Sequence, residues 1–271
     1  MSKWNVAVLV YTMVTIQVIG YSFLALHEGS NLASYLFLYT DLGRFTRSSL
    51  NHGIVLMMLL GLTWIFFRWS PRPFLGLGAL FLLESLSRSL LGVGFEPERA
   101  MFVEATRYLW LLAMGYALVL HRTMDCHRMW SALPLLLRAG LAITLITQGI
   151  EALQLTARSA QDLFLIPTKL LPFVPTETLS QLLLVGLTVV NIGGGLWILW
   201  RPQRSVLLSL SFWGLLTALS RIMLVPEGGL YEAMLRVSHW GIPLLVISLE
   251  AAQRSQVSRV SPITFVRRLK I

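Results

Sequence analysis

Apolar residues fill most of the chain in eight long runs, which are separated by shorter polar or charged segments. Each run is about 20 residues long, the length at which a helix crosses a bilayer. Backbone groups inside the hydrocarbon have no water to bond, so such segments must be helical. The pattern predicts an all-α, polytopic integral membrane protein with eight transmembrane helices. The predicted spans are 4–26, 49–67, 73–93, 102–121, 132–154, 178–200, 205–225 and 233–250.

One segment of the chain repeats another. Residues 61–91 match residues 194–224 without a gap at a shift of 133, and the matches include Trp and Arg, which are rarer than leucine in apolar helices. Four spans per copy is an even number, so both copies must have the same orientation. We therefore predict two parallel four-helix repeats related by a pseudo-two-fold axis along the membrane normal. The matched residues are Gly61, Trp64, Ile65, Arg68, Ser87 and Arg88 with Gly194, Trp197, Ile198, Arg201, Ser220 and Arg221.

The repeat sets the predicted domain boundaries. Residues 1–128 form the first transmembrane repeat, residues 129–253 the second, and residues 254–271 a basic cytoplasmic tail. Weaker similarity continues into the last span of each copy, where residues 104–107 resemble residues 232–236 with one residue inserted.

Two long connections, at 27–48 and 155–177, lie on the predicted outer side of the membrane. Each contains an apolar patch among polar residues. A short helix lying in the membrane interface would suit both patches. An ordinary loop suits them equally well, so both interpretations stay open.

Composition supports the membrane class and changes how the net charge is interpreted. The chain is 55% hydrophobic and only 13% charged, with a net charge of +9, whereas a soluble domain has roughly twice that charged fraction. In a membrane protein, excess Lys and Arg reports topology and contact with anionic lipid. We therefore predict membrane lipids as partners and no nucleic acid.

The positive charges also predict an orientation. Arginines are concentrated in alternate connections and in the tail, while the other connections are acidic or mixed. The bias places both termini in the cytoplasm, with the bacterial inner membrane as the predicted location. The arginines of the short connections are Arg68, Arg72, Arg122, Arg128, Arg201 and Arg204.

Four arginines are predicted to lie in the outer half of the bundle. Arg88 follows about 16 residues of a helix that starts at the cytoplasmic side, which is roughly 24 Å at about 1.5 Å per residue. Arg221 has the same depth by the repeat, and Arg107 and Arg236 lie near the outer starts of their spans. Glu151 enters from the fifth span at a similar depth.

Carboxylates accompany these arginines at helical spacing, so that three pairs share a helix face. His239 continues the face of Arg236. The pairs are Glu84 with Arg88, Glu104 with Arg107 and Glu232 with Arg236. The predicted ligand-binding residues are Arg88, Arg107, Arg221, Arg236, Glu84, Glu151 and His239.

A charged residue in the bilayer costs about 3 kcal/mol or more, so several of them indicate pairing, a wet cavity or a ligand. Guanidinium groups match carboxylates and phosphates in geometry. We predict a protein that binds or transports an anionic small molecule or lipid headgroup. The alternative is a subunit or sensor module of a larger complex or homodimer, with structural Glu–Arg bridges. A membrane enzyme acting on a lipid-linked substrate, with Glu84 or Glu151 as general acid or base, is the weaker alternative.

No cofactor or metal is predicted, and no residue is assigned a catalytic role. A b-type haem between His52 and His239 remains an alternative, because two histidines at matching depth can ligate haem iron. Intramembrane histidine more often forms hydrogen bonds between helices.

Overall fold

A computed structural model describes residues 3–40, 46–92, 97–123, 126–154, 177–224 and 228–257. Within these residues the chain is 93% helical and contains no strand. The 3-10 turn Pro97–Arg99 precedes the fifth α-helix. The helices are α1 (Lys3–Glu28), α2 (Asn31–Tyr39), α3 (Thr46–Phe67), α4 (Pro71–Leu91), α5 (Ala100–Val103), α6 (Ala105–Thr123), α7 (Cys126–Gln154), α8 (Glu177–Trp200), α9 (Arg204–Leu224), α10 (Gly229–Leu235) and α11 (Val237–Val257).

Five of these helices are long and apolar enough to cross a membrane, which is consistent with an integral membrane protein. A sixth crossing is counted if Pro97–Val103 and Ala105–Leu120, which meet at 42°, form one bent span. Leu184–Trp200 is a shorter apolar helix. The five segments are Val6–Glu28, Arg47–Phe67, Pro71–Leu91, Ala132–Leu153 and Arg204–Ile222.

The predicted fourth and eighth spans are broken by turns. The turn at Glu104 separates α5 from α6, and the turn at Arg236 separates α10 from α11. The continuous helices expected at 102–121 and 233–250 are therefore interrupted near their N-terminal ends. A charged residue occupies each turn, and a turn lets its side chain leave the helix surface.

The connection at 27–48 contains a helix, α2. Ser30 precedes it in an extended conformation and its hydroxyl accepts a hydrogen bond from the Ala33 amide, which satisfies one of the free N–H groups at the helix start. Leu32 and Ala33 face the protein, while Leu38 and Tyr39 are exposed. The prediction of a short helix in this connection is therefore confirmed, and its position in the membrane interface stays a prediction. The matching connection, 155–176, lies outside the described residues.

The helix contacts cross between the two halves of the chain. α1 packs against α3, but also against α10 and α11 from the second half. In the same way, α7 packs against α8 and also against α5 and α6 from the first half. α4 pairs with α6, and α9 pairs with α11. The interrupted helices consequently lie next to the first helix of the opposite half.

Glycines allow two of these helix pairs to approach closely. A Cβ atom added to Gly78 of α4 would lie 2.8 Å from the Leu112 side chain of α6. One added to Gly195 of α8 would lie 2.9 Å from Ile146 of α7. Small residues of this kind let membrane helices pack backbone against backbone. The Gly-Gly-Gly run at 193–195 thus serves helix packing at Gly195.

A single apolar core runs through the bundle, and apolar side chains also cover much of its outside. The largest fully buried side chains include Met13, Met58, Phe74, Phe81 and Trp110. α3 and α8 expose Trp64, Phe67, Trp197 and Trp200, among others. Such a surface suits lipid, because hydrocarbon chains are as apolar as these side chains.

Candidate functional site

Glu104 holds two arginines at the turn between α5 and α6. One carboxylate oxygen lies 2.8 Å from Arg88 Nη1 and 2.7 Å from Arg107 Nη1, and the other accepts a 2.6 Å hydrogen bond from Ser85 Oγ. The Glu104 side chain is only 7% exposed, against 38% for Arg88 and 20% for Arg107. The predicted Glu104–Arg107 contact is present, and Arg88 joins it from the neighbouring helix α4.

Glu84 does not pair with Arg88, so that prediction was wrong. Its two oxygens accept hydrogen bonds from Ser30 Oγ at 2.8 Å, the Asn31 amide at 2.7 Å, Asn31 Nδ2 at 3.0 Å and the Leu32 amide at 3.1 Å. Buried Glu84 thus anchors the N-terminus of α2, where free N–H groups and the helix dipole favour a negative charge.

These four hydrogen bonds also decide whether Glu84 can bind a ligand or act as a general acid or base. A carboxylate has about four lone-pair sites, and four donors already fill those of Glu84. Glu84 is therefore a structural anchor, with no free site at which to bind a ligand or act as a general base.

Arg221 and Arg236 are less well neutralised. Arg221 Nη1 lies 3.8 Å from a carboxylate oxygen of Glu232, and both side chains are more than a third exposed. The predicted Glu232–Arg236 ion pair is absent, because the Glu232 carboxylate faces Arg221 of α9 instead. Within the described ranges, no carboxylate lies at ion-pair distance from Arg236. The Arg236 guanidinium lies within electrostatic range of both Arg221 and Arg107.

His239 lies beside these arginines, one turn into α11 from Arg236. It is buried, and the charges of Arg236, Arg107 and Arg221 all act on it. Its Nε2 atom has no hydrogen-bond partner among the described residues. The same holds for Arg107 Nε. Buried polar atoms usually have a partner, so each exception calls for a water, an ion or a ligand.

We call this group of residues the arginine cluster. It consists of Arg88, Arg107, Arg221 and Arg236, with Glu104, Glu232 and His239. Four arginines against two glutamates leave two positive charges, with histidine counted as neutral. Unpaired charges are expensive in a membrane interior, so the cluster is suited to hold an anion.

Two hydroxyl groups near the cluster are also buried without a partner in the described part of the chain. They are Thr106 Oγ1, next to Arg107, and Ser238 Oγ, next to His239. α6 and α11, which carry them, are packed against each other. Sequence reasoning missed both, because Ser and Thr are common in membrane helices and carry no signal by themselves.

Other polar residues fix the start of α6. Gln17 of α1 donates a 2.7 Å hydrogen bond to the Arg107 carbonyl and accepts one of 2.8 Å from Trp110 Nε1. Thr144 of α7 accepts a 2.9 Å hydrogen bond from the Thr106 amide. These contacts hold the backbone of Arg107 in place. In the sequence, the indication of these contacts was a glutamine, Gln17, inside an apolar span.

Two more residues named from the sequence are Glu151 and His52. Glu151 is partly buried in the last turn of α7. His52 is exposed on α3, with Nδ1 2.7 Å from the carbonyl oxygen of Ser48. The haem alternative through His52 and His239 gains no support from a described contact between these residues.

A separate polar cavity of about 250 Å³ opens where α1 ends and α2 and α3 begin. His27, Glu28, Arg47 and Asn51 are among the residues that line it. Asn51 ties two of these segments together, since it donates to the Ala25 carbonyl and accepts from the Ser30 amide. The residues that line the cavity carry charges of both signs, so the cavity lacks the positive excess of the arginine cluster.

Among the described residues, no three His, Cys, Asp or Glu side chains come together as a metal site. Comparisons with known proteins give no match: no protein family, no curated protein and no solved structure is recognisably similar to this chain. The function must therefore be argued from the chemistry of the site.

Proposed function

We propose that this chain is a multi-pass membrane protein that binds or transports an anionic small molecule or lipid headgroup at the arginine cluster. The carrying observation is that Arg236 has no ion-pair partner among the described residues, while the charges of Arg221 and Arg107 act on it more strongly than those of Glu232 and Glu104. A guanidinium fork gives strong, bidentate hydrogen bonds to carboxylates and phosphates. An anion between these arginines would neutralise charges that are costly to leave unpaired.

The buried atoms without partners support the same proposal. Arg107 Nε and His239 Nε2 lack a hydrogen-bond acceptor or donor in the described structure. A bound anion would accept from Arg107, and from His239 in the tautomer with Nε2 protonated. Leaving such groups unsatisfied costs about 1–3 kcal/mol each, so a ligand that satisfies them gains that free energy on binding.

The membrane arrangement is part of the proposal. We take the chain to cross the bacterial inner membrane eight times as two parallel repeats, with cytoplasmic termini and the cluster in the outer half. The reciprocal packing of α1 on α10 and α11, and of α7 on α5 and α6, supports a two-fold relation. The turns at Glu104 and Arg236, which are 132 residues apart, support it as well.

A second candidate function follows from the part of the cluster around Glu104. Glu104 neutralises Arg88 and Arg107 with one short contact to each, accepts a further hydrogen bond from Ser85, and leaves little room for a ligand there. If Arg236 were likewise bridged in a complex, the cluster would be purely structural. The protein would then be a membrane subunit or sensor module, with a partner packed on its apolar flank.

Native mass spectrometry of the purified full-length chain tests the two candidates together. Ligand binding predicts a retained small anion or anionic lipid, and Arg236→Gln should lose it. Arg201→Gln is the matched control. Arg201 is exposed in a connection, so this substitution removes the same charge at a position outside the cluster. A retained protein partner with no anion would favour the subunit. Equal anion retention by both variants would contradict the proposed site.

A further inference from the structure

We infer that the ligand of the arginine cluster carries a phosphate monoester dianion, held in the second repeat where the Glu104 carboxylate is held in the first. This inference rests on the proposed function and names the ligand class. It depends on three observations: the contacts of Glu104, the residues at the corresponding positions of the second half, and the net charge of the cluster.

The first half shows how this fold binds a carboxylate. Glu104, at the turn before α6, is contacted by Ser85 and Arg88 from α4 and by Arg107 from the first turn of α6. All three donors lie within 2.8 Å of an oxygen atom. The anion in this internal site is part of the chain itself.

The second half keeps one of these donors, and its carboxylate, Glu232, is held less closely, at 3.8 Å from Arg221. The shift of 133 that relates the repeats puts Arg221 at the position of Arg88 and Ala218 at that of Ser85. The helix breaks, 132 residues apart, put Arg236 at the position of Glu104 and His239 at that of Arg107. Counted from the helix breaks, a guanidinium stands where the first half has its carboxylate, whereas the sequence similarity pairs Glu104 with Glu232. Glu232 does not hold Arg236 at ion-pair distance, so an external anion can take the place that Glu104 fills in the first half.

Charge selects the kind of anion. The cluster retains two positive charges, and His239 Nε2 and Arg107 Nε still lack partners among the described residues. A phosphate monoester carries about two negative charges at neutral pH and offers three strong acceptor oxygens. A phosphodiester or a monocarboxylate carries a single charge and would leave one arginine uncompensated. Of these three anions, the monoester is the one whose charge matches that of the cluster, and its three acceptor oxygens suit several guanidinium groups.

The exposed side of the cluster is open to either a lipid-borne or a free phosphate. Arg221 and Glu232 are 37% and 36% exposed at their side chains, so the second-half side of the cluster opens to its surroundings. Phosphatidic acid, a monoester, and inorganic phosphate both present a dianionic phosphate group, and they differ in its source. The experiment has an arm for each source.

The test measures lipid retention by the full-length protein in phosphatidylcholine nanodiscs. Phosphatidic acid, a monoester, competes against phosphatidylglycerol, a diester with the same acyl chains, and inorganic phosphate is then added as a competitor. We expect at least about tenfold preference for phosphatidic acid, since one compensated charge is worth 1.4 kcal/mol or more. Displacement by inorganic phosphate identifies the free ion as the source, and its failure identifies the lipid; both support the inference.

Two variants locate the binding. Arg236→Gln should abolish the preference for phosphatidic acid. Arg236→Glu should abolish it too, because it places a carboxylate in the second repeat where the first has Glu104. Arg201→Gln should keep it. Equal retention of both lipids by the wild type would overturn the dianion inference and leave the anion site standing. Retention of no anion at all would overturn the proposed function as well. If neither Arg236 variant folds, the wild-type competition still decides between the monoester and the diester.

Discussion

Replacing Glu104 by glutamine removes the charge that neutralises Arg88 and Arg107 while keeping the size of the side chain. Both arginines contact the same oxygen of Glu104, so a glutamine carbonyl placed there can still accept from both, without the negative charge. The amide then faces Ser85 Oγ, which can turn to accept a hydrogen bond. Both guanidinium groups are then left without their counter-charge at the α5–α6 turn.

The contacts set the size of the effect. Removing one partner of a buried ion pair costs about 3–5 kcal/mol. Arg88 is 38% exposed and can turn toward headgroups, which offsets part of the loss. We therefore expect about 3 kcal/mol of lost unfolding free energy. Glu232→Gln is the matched control, because its 3.8 Å contact with Arg221 is long and exposed and should contribute about 0–1 kcal/mol.

The assay is reversible unfolding in mixed detergent and SDS micelles. The chain has nine tryptophans, so its intrinsic fluorescence follows the transition. Similar losses for Glu104→Gln and Glu232→Gln would refute the argument that burial and short contacts distinguish the two glutamates. A loss under about 1 kcal/mol for Glu104→Gln would show that the bridge is solvated.

Three further predictions concern the fold around the cluster. Glu84→Gln should speed hydrogen exchange of the α2 amides at least about tenfold, since a charge-assisted bond contributes about 1.5–3 kcal/mol; unchanged exchange would contradict the anchor. Gly78→Ala should destabilise the protein by about 1–3 kcal/mol through overpacking, because its Cβ would lie 2.8 Å from Leu112. Gly76→Ala, which meets open space, should not, and equal melting temperatures would contradict this. Cys126, the single cysteine, should react with an impermeant maleimide only in inside-out vesicles; labelling of intact cells would reverse our orientation.

The membrane class and most helix positions could be predicted from the sequence because they depend on length and hydrophobicity alone. The interruptions could not. Apolar residues flank Glu104 and Arg236 directly on both sides, so the hydropathy pattern is continuous through both positions, whereas the structure has a turn at each. A hydropathy pattern contains no information about such turns.

The pairing of the carboxylates shows the limit of helical spacing. Spacing correctly predicted the Glu104–Arg107 contact, where both residues belong to one turn. It assigned Glu84 to Arg88, whereas the amides at the start of α2 offer Glu84 more donors than one guanidinium could. The groups that a charged side chain contacts depend on which helices pack beside its own. Helical spacing in the sequence does not indicate those neighbouring helices.

The most direct test is a crystal structure of the full-length protein grown in a lipid mesophase with phosphatidic acid. We predict tetrahedral density bridging the guanidinium groups of Arg221 and Arg236, within hydrogen-bond distance of His239 Nε2. A structure in which Arg236 instead forms an ion pair with a carboxylate of the chain, with no anion beside it, would contradict the proposal.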